Sequence, residues 1–331
     1  MDLPITTQIS TSFNLDIVQV EVSTKCILKC PRCPRTELDL PWINQEITLE
    51  QFKTTFPPEV LAQIKYLWFC GHSGDPIYAR EFLEIIKYIK SVSKTRSRII
   101  TNGSYKKADW WIKLGQLLDK NDGVTFSIDG YDHASNNLYR VDSNWASIIE
   151  GLTTLRTNSS CYITWSTIYF NFNQQHVDRI AQTAKDLGCD VFQLVKSAKF
   201  DGRYLVNGID PLKPTVDVIS KDNNYERNKI VFGRDDPFII EQTKNVHPFA
   251  KCLNGARELN VTVDGYVYPC GWFNTGYQEN DFVGKYRDRI NVYTRSLKDV
   301  LEDPLWSELL NRFDTNPLEI CRIKCQNCEK F

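Results

Sequence analysis

Residues Cys26 to Cys33 read C-I-L-K-C-P-R-C and follow an apolar, β-branched run at 17–22. The stretch places three cysteines in a C-x3-C-x2-C spacing on one short loop, so their thiolates can meet at a single metal centre. An iron-sulfur cube needs four ligands, and three thiolates leave one iron open. A structural zinc site is closed by four ligands, and no histidine or fourth cysteine follows within 35 residues of Cys33. The stretch therefore predicts a cluster with one open iron, against the alternative of three buried free thiols.

This strand and loop resemble the signature of radical S-adenosylmethionine (SAM) enzymes. In that family the three thiolates hold a [4Fe-4S] cluster, and the amino group and carboxylate of SAM chelate the fourth iron. The resemblance implies this cluster and SAM as cofactors, with Cys26, Cys30 and Cys33 as ligands. The longer stretch C-I-L-K-C-P-R-C-P-R-T resembles the corresponding sequence of members that carry an additional C-terminal cluster domain. Arg32 departs from the pattern, because many members have an aromatic or bulky apolar residue there, near the adenine.

Length and charge narrow the class of protein. At 331 residues the chain is long enough for one large domain and a smaller one, since domain splitting is common above about 250 to 300 residues. Its 40 basic and 41 acidic residues leave a net charge of −1, which disfavours nucleic acid as a partner. No apolar run reaches the ~18 residues that span a bilayer, and residues 1–16 lack the features of a signal peptide. We therefore predict a soluble, cytoplasmic protein with no membrane partner.

The 11 cysteines are unevenly distributed. Thiols of cytosolic proteins stay reduced, so this number indicates metal or catalytic use more than disulfides. Three cysteines lie at 26–33 and five at 252–328, and only three lie between. Cys161 and Cys189 lie in or beside apolar stretches and are predicted to be buried core residues.

The first 200 residues predict an α/β fold, because apolar β-branched runs alternate with amphipathic helical patterns. Thr48 with Gln51 has the pattern of a capping box, and Asn173 is a favourable N-cap. Six strand-helix units predict a partial (β/α)6 TIM-like barrel over residues 1–200, and the resemblance implies the same fold. The site of such a barrel lies in the loops that follow the strands. Strands are predicted at 17–22, 66–69, 98–101, 123–128, 161–169 and 191–195, and helices near 49–56, 79–91, 108–118, 144–156 and 174–187.

The loop after the second predicted strand reads C-G-H-S-G-D-P and resembles the Gly-Gly-Glu-Pro motif of the family. That motif meets the amino group of SAM, which implies SAM contacts from Gly74, Asp75 and Pro76. Asp75 replaces the usual Glu, and the loop is one residue longer than the common form. An ordinary Gly-Asp-Pro turn is the alternative. His72 and Cys70 share the loop, and nearness to the cluster makes His72 a candidate catalytic residue, against a solvated or structural histidine.

Polar residues also end the next two predicted strands. Thr101-Asn102-Gly103 follows the third and is frequent at that site in the family. The fourth ends in S-I-D-G and matches a Ser-x-Asp-Gly motif, which implies that Ser127 and Asp129 reach the ribose or methionine end of SAM. Resembling members also place an arginine at the position of Arg140, where it pairs with the SAM carboxylate and suits a bidentate guanidinium. A plain Asp-Gly turn and a surface arginine are the alternatives.

A segment without periodicity at 201–245 follows the barrel and is predicted to be a linker or a substrate-covering loop. Beyond it, alternating apolar residues on both sides of Asp264-Gly265 predict a β-hairpin. The hairpin brings Cys252 and Cys270 toward each other.

The tail supplies the other half of a second metal site. After a predicted helix near 296–312, Cys325 and Cys328 form a C-x2-C pair, which with the hairpin gives four thiolates. Cys321 is a substitute for one of these ligands. Zinc is the alternative metal, because a zinc ribbon uses the same ligands. Residues 246–331 resemble the twitch domain, a shortened relative of the SPASM domain, which implies an auxiliary [4Fe-4S] cluster.

Together the motifs imply a radical SAM enzyme that forms a 5'-deoxyadenosyl radical and abstracts hydrogen from a peptide or small-molecule substrate. A second cluster is most simply explained as an electron acceptor, so a net oxidation such as dehydrogenation or cross-linking is expected. An electron donor such as flavodoxin or ferredoxin would be a partner. The residues before the first strand contain no peptide-recognition module, which argues against a leader-dependent peptide maturase. The alternative is a SAM-binding, metal-stabilised binding or regulatory protein without turnover.

Overall fold

One nine-stranded sheet organises the chain. The computed structural model describes residues 15–37, 44–197, 200, 202–216, 228–237, 258–269, 271–274, 281–312, 315–318 and 321–322. The strands are β1 (Leu15–Val20), β2 (Ile64–Phe69), β3 (Arg96–Thr101), β4 (Gly123–Ser127), β5 (Tyr162–Ile168), β6 (Val191–Val195), β7 (Lys229–Val231), β8 (Glu258–Val261) and β9 (Val267–Tyr268). Their order in the sheet is β7-β6-β5-β4-β3-β2-β1-β8-β9.

Strands β1 to β6 are parallel, as the alternating pattern predicts. The six predicted strands are all present, although β1 begins and ends two residues earlier than expected. A parallel sheet aligns the carboxyl ends of its strands at one edge, and the loops after β1 to β6 therefore meet there. The α/β, partial-barrel prediction is confirmed.

Most of the described helices lie between strands, and the last three follow β9. They are α1 (Pro34–Glu37), α2 (Leu49–Thr55), α3 (Pro58–Leu61), α4 (Phe82–Val92), α5 (Ala108–Leu117), α6 (His133–Asn137), α7 (Trp145–Asn158), α8 (Val177–Asp186), α9 (Asp281–Tyr286), α10 (Leu297–Leu301) and α11 (Leu305–Asn311). The capping box at the start of α2 is confirmed, since Thr48 and Gln51 bond reciprocally. The N-cap prediction for Asn173 is wrong: α8 begins after His176, and Asn173 is buried and bonded elsewhere. None of the described helices is long and apolar enough to cross a membrane.

Apolar faces of the helices cover the sheet. Helix α4 is amphipathic, and Ile85, Ile86 and Ile89 on one face are fully buried in the same core as Leu67 and Phe69 of β2. Each such side chain stabilises the fold by about 1.5–3 kcal/mol relative to an exposed one. This packing fixes the strand ends against one another.

The predicted hairpin is confirmed and extends the sheet. Strands β8 and β9 are antiparallel, and Gly265 adopts a φ of +85° in the turn that joins them. Strand β8 also pairs in parallel with β1, with Val20 opposite Val261. The C-terminal hairpin therefore belongs to the same sheet as β1, the strand that precedes the cysteine loop. Local sequence patterns do not predict this pairing.

The prediction of one continuous helix near 296–312 is wrong, because the structure has two helices there, α10 and α11. Pro304 lies between them and lacks the N–H that a continuous helix needs. Asp303 stabilises the break, since its Oδ1 accepts a hydrogen bond from Leu305 N at 3.0 Å and its Oδ2 pairs with Arg295 at 2.7 Å.

Candidate functional site

The three N-terminal cysteines lie on the loop between β1 and α1, at the carboxyl edge of the sheet. Cys30 is 8% exposed, and Cys26 and Cys33 are half-buried. The Cys30 carbonyl accepts a hydrogen bond from Cys33 N at 3.1 Å, which tightens the turn. The apolar cluster around them contains Leu28, Tyr139, Phe170, Phe172, Phe200 and Leu212.

The chemistry of this loop fits an iron-sulfur cluster. Burial raises the pKa of Cys26 to about 12, and the charges of Asp75, Cys30 and Cys33 raise it further. Such thiols need a metal to become thiolates at neutral pH. In the described part of the chain, no three His, Cys, Asp or Glu side chains surround a single-ion position. A [4Fe-4S] cluster makes a different demand, because each thiolate binds its own iron inside an apolar shell.

The loop after β2 is bound to the cysteine loop through its backbone. Asp75 N donates to Lys25 O at 2.9 Å. A Cβ on Gly74 would lie 2.1 Å from Ser23 O, so only glycine permits this approach. Pro76 begins a short 3-10 helix that the Asp75 side chain caps through Ile77 N. The contacts of Gly74, Asp75 and Pro76 with SAM remain predictions.

The Asp75 carboxyl is buried and bonded mainly to the end of β3. Its Oδ2 accepts hydrogen bonds from Thr101 Oγ1 at 3.0 Å and from both nitrogens of Asn102 at 2.6 Å. Burial raises the pKa of Asp75 to about 6, although these donors lower it. Among the residues that the structure describes, Oδ1 accepts only from Ile77 N at 3.2 Å, which leaves it one lone pair for a ligand amino group.

Asn102 connects this carboxyl with the cysteines. Its Nδ2 lies 3.7 Å from Cys26 Sγ, within range of an N–H to sulfur hydrogen bond, while it also donates to Asp75. The Thr-Asn-Gly motif marked this loop in the sequence, but only the structure shows the contact with sulfur. Hydrogen bonds to cluster sulfurs change reduction potentials, so Asn102 can tune a cluster held here.

Asp129 and Arg140 form an ion pair after β4. Arg140 Nε donates to Asp129 Oδ2 at 2.6 Å, and Ile168 N donates to Oδ1 at 2.7 Å. Burial raises the pKa of Cys30, whereas the charge and a hydrogen bond from Arg140 lower it. The structure therefore brings together Asp129, Arg140 and a predicted cluster ligand. Ser127, which ends β4, is half-buried and faces Ser166 in the register.

Two asparagines that the sequence motifs did not assign to the site hold the Asp129 loop. Asn136 Oδ1 accepts from Asp129 N at 3.0 Å and from Gly130 N at 3.1 Å. Asn173 Nδ2 donates to Asp129 O at 2.8 Å, which explains why it is not a helix cap. A Cβ on Gly130 would lie 2.1 Å from Asn136 N, so the glycine is needed for this packing.

Arg32 is not a surface residue. It is 3% exposed and forms a buried ion pair with Asp210. Its guanidinium lies 4.3 Å from the ring centroid of Tyr204 and 5.0 Å from that of Phe200. The segment predicted to cover the substrate, or to be a linker, thus contacts the cysteine loop through Tyr204 and Asp210. Whether it covers a substrate remains a prediction.

Glu21 is a further buried carboxyl beside the site. Ser73 N donates to its Oε1 at 2.8 Å, and the amides of His72 and Val263 also bond to it. Burial raises the pKa of Glu21 to about 7 against the effect of these donors. The carboxyl joins β1, the loop after β2 and the C-terminal hairpin. A Glu at the end of an apolar strand was the available signal in the sequence.

The remaining cysteine and histidine predictions have different outcomes. Cys161 and Cys189 are buried, as expected. Cys70 is half-buried at the end of β2, and burial raises its pKa to about 12, which disfavours a reactive thiolate. A catalytic role for His72 remains a prediction.

The predicted auxiliary ligands Cys252, Cys270, Cys325 and Cys328 lie outside the described residues. Cys321, the substitute ligand, is 7% exposed and packs in the main core.

Comparison with known structures identifies the fold. SuiB of Streptococcus suis bound to S-adenosylmethionine superposes with a TM-score of 0.60 and 15% identity, over 90% of this chain and 68% of SuiB. The protein anSMEcpe with bound AdoMet gives a TM-score of 0.58 and 16% identity, over 89% of this chain and 79% of anSMEcpe. No curated protein matches the chain in sequence. The chain has the fold of radical SAM enzymes.

The C-terminal segment is identified by its sequence. Residues 252–329 match the model of the SPASM family, an iron-sulfur cluster-binding domain. The resemblance to radical SAM proteins with a SPASM or twitch domain is thereby confirmed. The match favours an iron-sulfur cluster over zinc at the second set of cysteines.

Proposed function

We propose that this chain is a radical SAM enzyme that abstracts a hydrogen atom from a peptide or small-molecule substrate. One observation carries the proposal: the C-x3-C-x2-C loop lies in an apolar shell, and two buried carboxyl groups are linked to its cysteines. Asn102 bonds both Asp75 and Cys26, and Arg140 bonds both Asp129 and Cys30. These are the parts needed to hold a cluster and to bind a zwitterionic ligand beside it. When bound, the cluster and SAM supply a one-electron cleavage that yields a 5'-deoxyadenosyl radical.

The residues of the chain have separate tasks in this proposal. Cys26, Cys30 and Cys33 hold the cluster. The second lone pair of Asp75 Oδ1 accepts from the SAM amino group, and Arg140 pairs with the SAM carboxylate while Asp129 fixes its orientation through Nε.

The apolar shell around the cysteines excludes water from the site. Leu28, Tyr139 and Phe170 are at most 7% exposed. Exclusion of water protects a reactive radical from side reactions and strengthens the polar contacts to the ligand.

A second [4Fe-4S] cluster in the SPASM domain would accept an electron from the substrate radical. Strand β8 of that domain lies beside β1, so the two parts of the chain share one sheet. A net oxidation, such as dehydrogenation or cross-linking, would result from that electron transfer. The first cluster would be reduced by a partner such as flavodoxin or ferredoxin.

A peptide substrate has additional support. SuiB has been seen bound to its precursor peptide SuiA, and anSMEcpe with bound AdoMet and Cp18Cys peptide, both on this fold.

The test is the metal content of anaerobically reconstituted protein. We expect about eight irons and eight sulfides per chain, and about four of each when Cys26, Cys30 and Cys33 are replaced by alanine together. Addition of SAM should change the electron paramagnetic resonance spectrum of the reduced wild type and leave that of the variant unchanged. Wild-type protein that contains zinc and no iron would overturn the proposal.

A further inference from the structure

An open groove lies between helix α8 and the edge strand β7. Its volume is about 530 Å³, and β7 forms one wall while the other is formed by Asp178, Ala181, Gln182 and Lys185 of α8. Strand β7 is the last in the order of the sheet, and within the described residues no strand pairs with its outer edge. Sheet edges are usually shielded, because they offer unpaired backbone groups to other chains. The groove is therefore a candidate docking surface.

Two apolar side chains of β7 are exposed beside this groove. Ile230 is 46% exposed and Val231 is 50% exposed. Ile230 lies opposite Phe192 in the register, and Phe192 belongs to the same core as Ile180 of α8. Ile230 therefore lies on the face of the sheet that α8 covers. A partner in the groove would remove this apolar surface from water, which stabilises a complex.

The backbone of β7 directs hydrogen-bonding groups away from the sheet. Phe232 N donates to Asp190 O at 2.9 Å, so Phe232 bonds toward β6. Successive residues of an antiparallel strand alternate, with their N–H and C=O groups facing the neighbouring strand or facing away from it. The groups of Val231 and Lys229 therefore face away. An extended peptide presents a matching row of donors and acceptors, so a peptide strand fits this edge.

Two opposite charges lie at the two ends of the groove. Asp178 and Lys185 are exposed, and neither forms an ion pair within the described part of the chain. They are seven positions apart on α8, which is about 10 Å along the helix axis. Lys229 of β7 is already paired with Asp236 at 3.0 Å. The groove therefore complements a strand with an acidic residue at one end and a basic residue at the other.

We propose that the groove between α8 and β7 docks a segment of a peptide substrate as an added β-strand, an inference that rests on the proposed function. The docked segment is antiparallel to β7, because antiparallel pairs are slightly more stable than parallel ones. Since β7 is itself antiparallel to β6, the segment runs in the direction of β6. It therefore leads toward the edge of the sheet that carries the cysteine loop.

The direction of the docked segment determines its charge order. Helix α8 begins after the carboxyl end of β5 and ends before β6, so Asp178 lies nearer the cysteine-loop edge than Lys185 does. A segment that runs with β6 meets Lys185 first and Asp178 last. Side chains on one face of a strand recur at every second residue. The matching segment has an acidic residue, an apolar residue two positions later against Ile230, and a basic residue two positions after that.

The groove is separate from the cysteine loop but within reach of it. Strand β7 is three strands from β4, whose following loop carries Asp129 and Arg140. Adjacent strands are about 4.8 Å apart, so this distance is roughly 15 Å, which about five extended residues span. The residue that reacts then lies at least about five positions after the docked segment.

The experiment titrates two fluorescein-labelled peptides with the anaerobically reconstituted full chain and measures their anisotropy at about 50 mM salt, where exposed charges are only weakly screened. The peptide G-E-T-V-T-K-G has the proposed charge order, and G-K-T-V-T-E-G has the reverse. Wild type should bind the first about fivefold more tightly, because the second replaces two exposed ion pairs by two repulsive contacts. The double variant Asp178→Lys with Lys185→Asp should prefer the second peptide.

Val231→Pro tests the backbone contacts. Proline removes the outward N–H of this edge residue and no hydrogen bond to β6. Binding of the first peptide should weaken at least fivefold. The double variant Glu84→Lys with Lys87→Glu is the matched control, because both residues are exposed on α4 and the net charge stays the same. It should leave both affinities unchanged.

The outcomes separate this inference from the proposed function. If wild type binds the two peptides equally or binds neither, or if Val231→Pro binds as wild type does, the inference is overturned and the proposed function stands. Charge-dependent binding by a chain that forms no 5'-deoxyadenosine would support the docking groove and overturn the proposed function alone. If Val231→Pro does not fold, the charge-swapped variant decides the question.

Discussion

Arg140 donates from Nε to Asp129 Oδ2 at 2.6 Å, in a pair whose carboxyl is fully buried. The second oxygen of Asp129 accepts from Ile168 N, and its carbonyl accepts from Asn173. The carboxylate therefore fixes the arginine from a rigid strand end, and the hydrogen bond between Arg140 and Cys30 ties the pair to the predicted cluster.

Asp129→Asn should weaken SAM binding about tenfold or more. The carboxamide presents an N–H to either Arg140 or Ile168 N, so one donor loses its acceptor, and the buried cation loses its counter-charge at a cost of about 3 kcal/mol in stability. Calorimetry with SAM and urea unfolding measure the two effects.

Asp190→Asn is the control for this variant. Asp190 pairs with Arg156 at 3.1 Å just before β6, at the opposite edge of the sheet. Its replacement should lower stability and leave SAM affinity unchanged. If Asp129→Asn binds SAM as tightly as wild type, the proposed contact of Arg140 with the SAM carboxylate does not depend on Asp129.

Asn102→Ala should lower the midpoint potential of the N-terminal cluster by about 50 mV. The N–H to sulfur contact with Cys26 stabilises the more negative reduced cluster, so its removal favours the oxidised state. A redox titration followed by electron paramagnetic resonance measures the shift. Asn121→Ala, in the exposed turn before β4, should leave the potential unchanged, and an equal shift in both variants would contradict the assigned contact.

Glu21 should make the protein less stable as the pH rises. Its pKa is about 7 in the folded protein against an ordinary value of 4.5, so folding favours the protonated form and this stabilisation is lost between these two values. Between pH 5 and 7.5, wild type should lose about 2 kcal/mol of unfolding free energy relative to Glu21→Gln, which does not titrate. Parallel stability curves for the two proteins would show that Glu21 has an ordinary pKa.

Gly74→Ala should abolish measurable SAM binding. The added methyl would lie 2.1 Å from Ser23 O, which forces the loop after β2 away from the cysteine loop. Gly284→Ala is the matched control, because a Cβ at that helical position would have no neighbour within 4 Å among the described residues outside its own helix. Unimpaired SAM binding by Gly74→Ala would mean that the loop can move without loss of the site.

Sequence patterns predicted the elements that depend on local chemistry. The parallel strands follow from β-branched runs, the start of α2 from its capping box, and the C-terminal hairpin from Asp264-Gly265. The motifs also predicted which strand ends would carry polar side chains. Those side chains do lie at one edge, because parallel strands all end there.

These local patterns could not predict contacts between residues that are far apart in the sequence. Arg32 and Asp210 are 178 residues apart, and their ion pair exists only because β1 and β6 belong to one sheet. Asparagine is a common helix N-cap, but the side chain of Asn173 donates instead to the Asp129 carbonyl, which the fold brings beside it. The position of β8 beside β1 likewise depends on tertiary pairing rather than on local propensity.

Formation of 5'-deoxyadenosine tests the central claim most directly. Anaerobically reconstituted wild type, incubated with SAM and dithionite, should release 5'-deoxyadenosine and methionine in equal amounts, as chromatography with mass detection would show. The variant with alanine at Cys26, Cys30 and Cys33 should release neither. Wild-type protein that contains both clusters and binds SAM, yet forms no 5'-deoxyadenosine, would contradict the account and indicate a binding protein with a radical SAM fold.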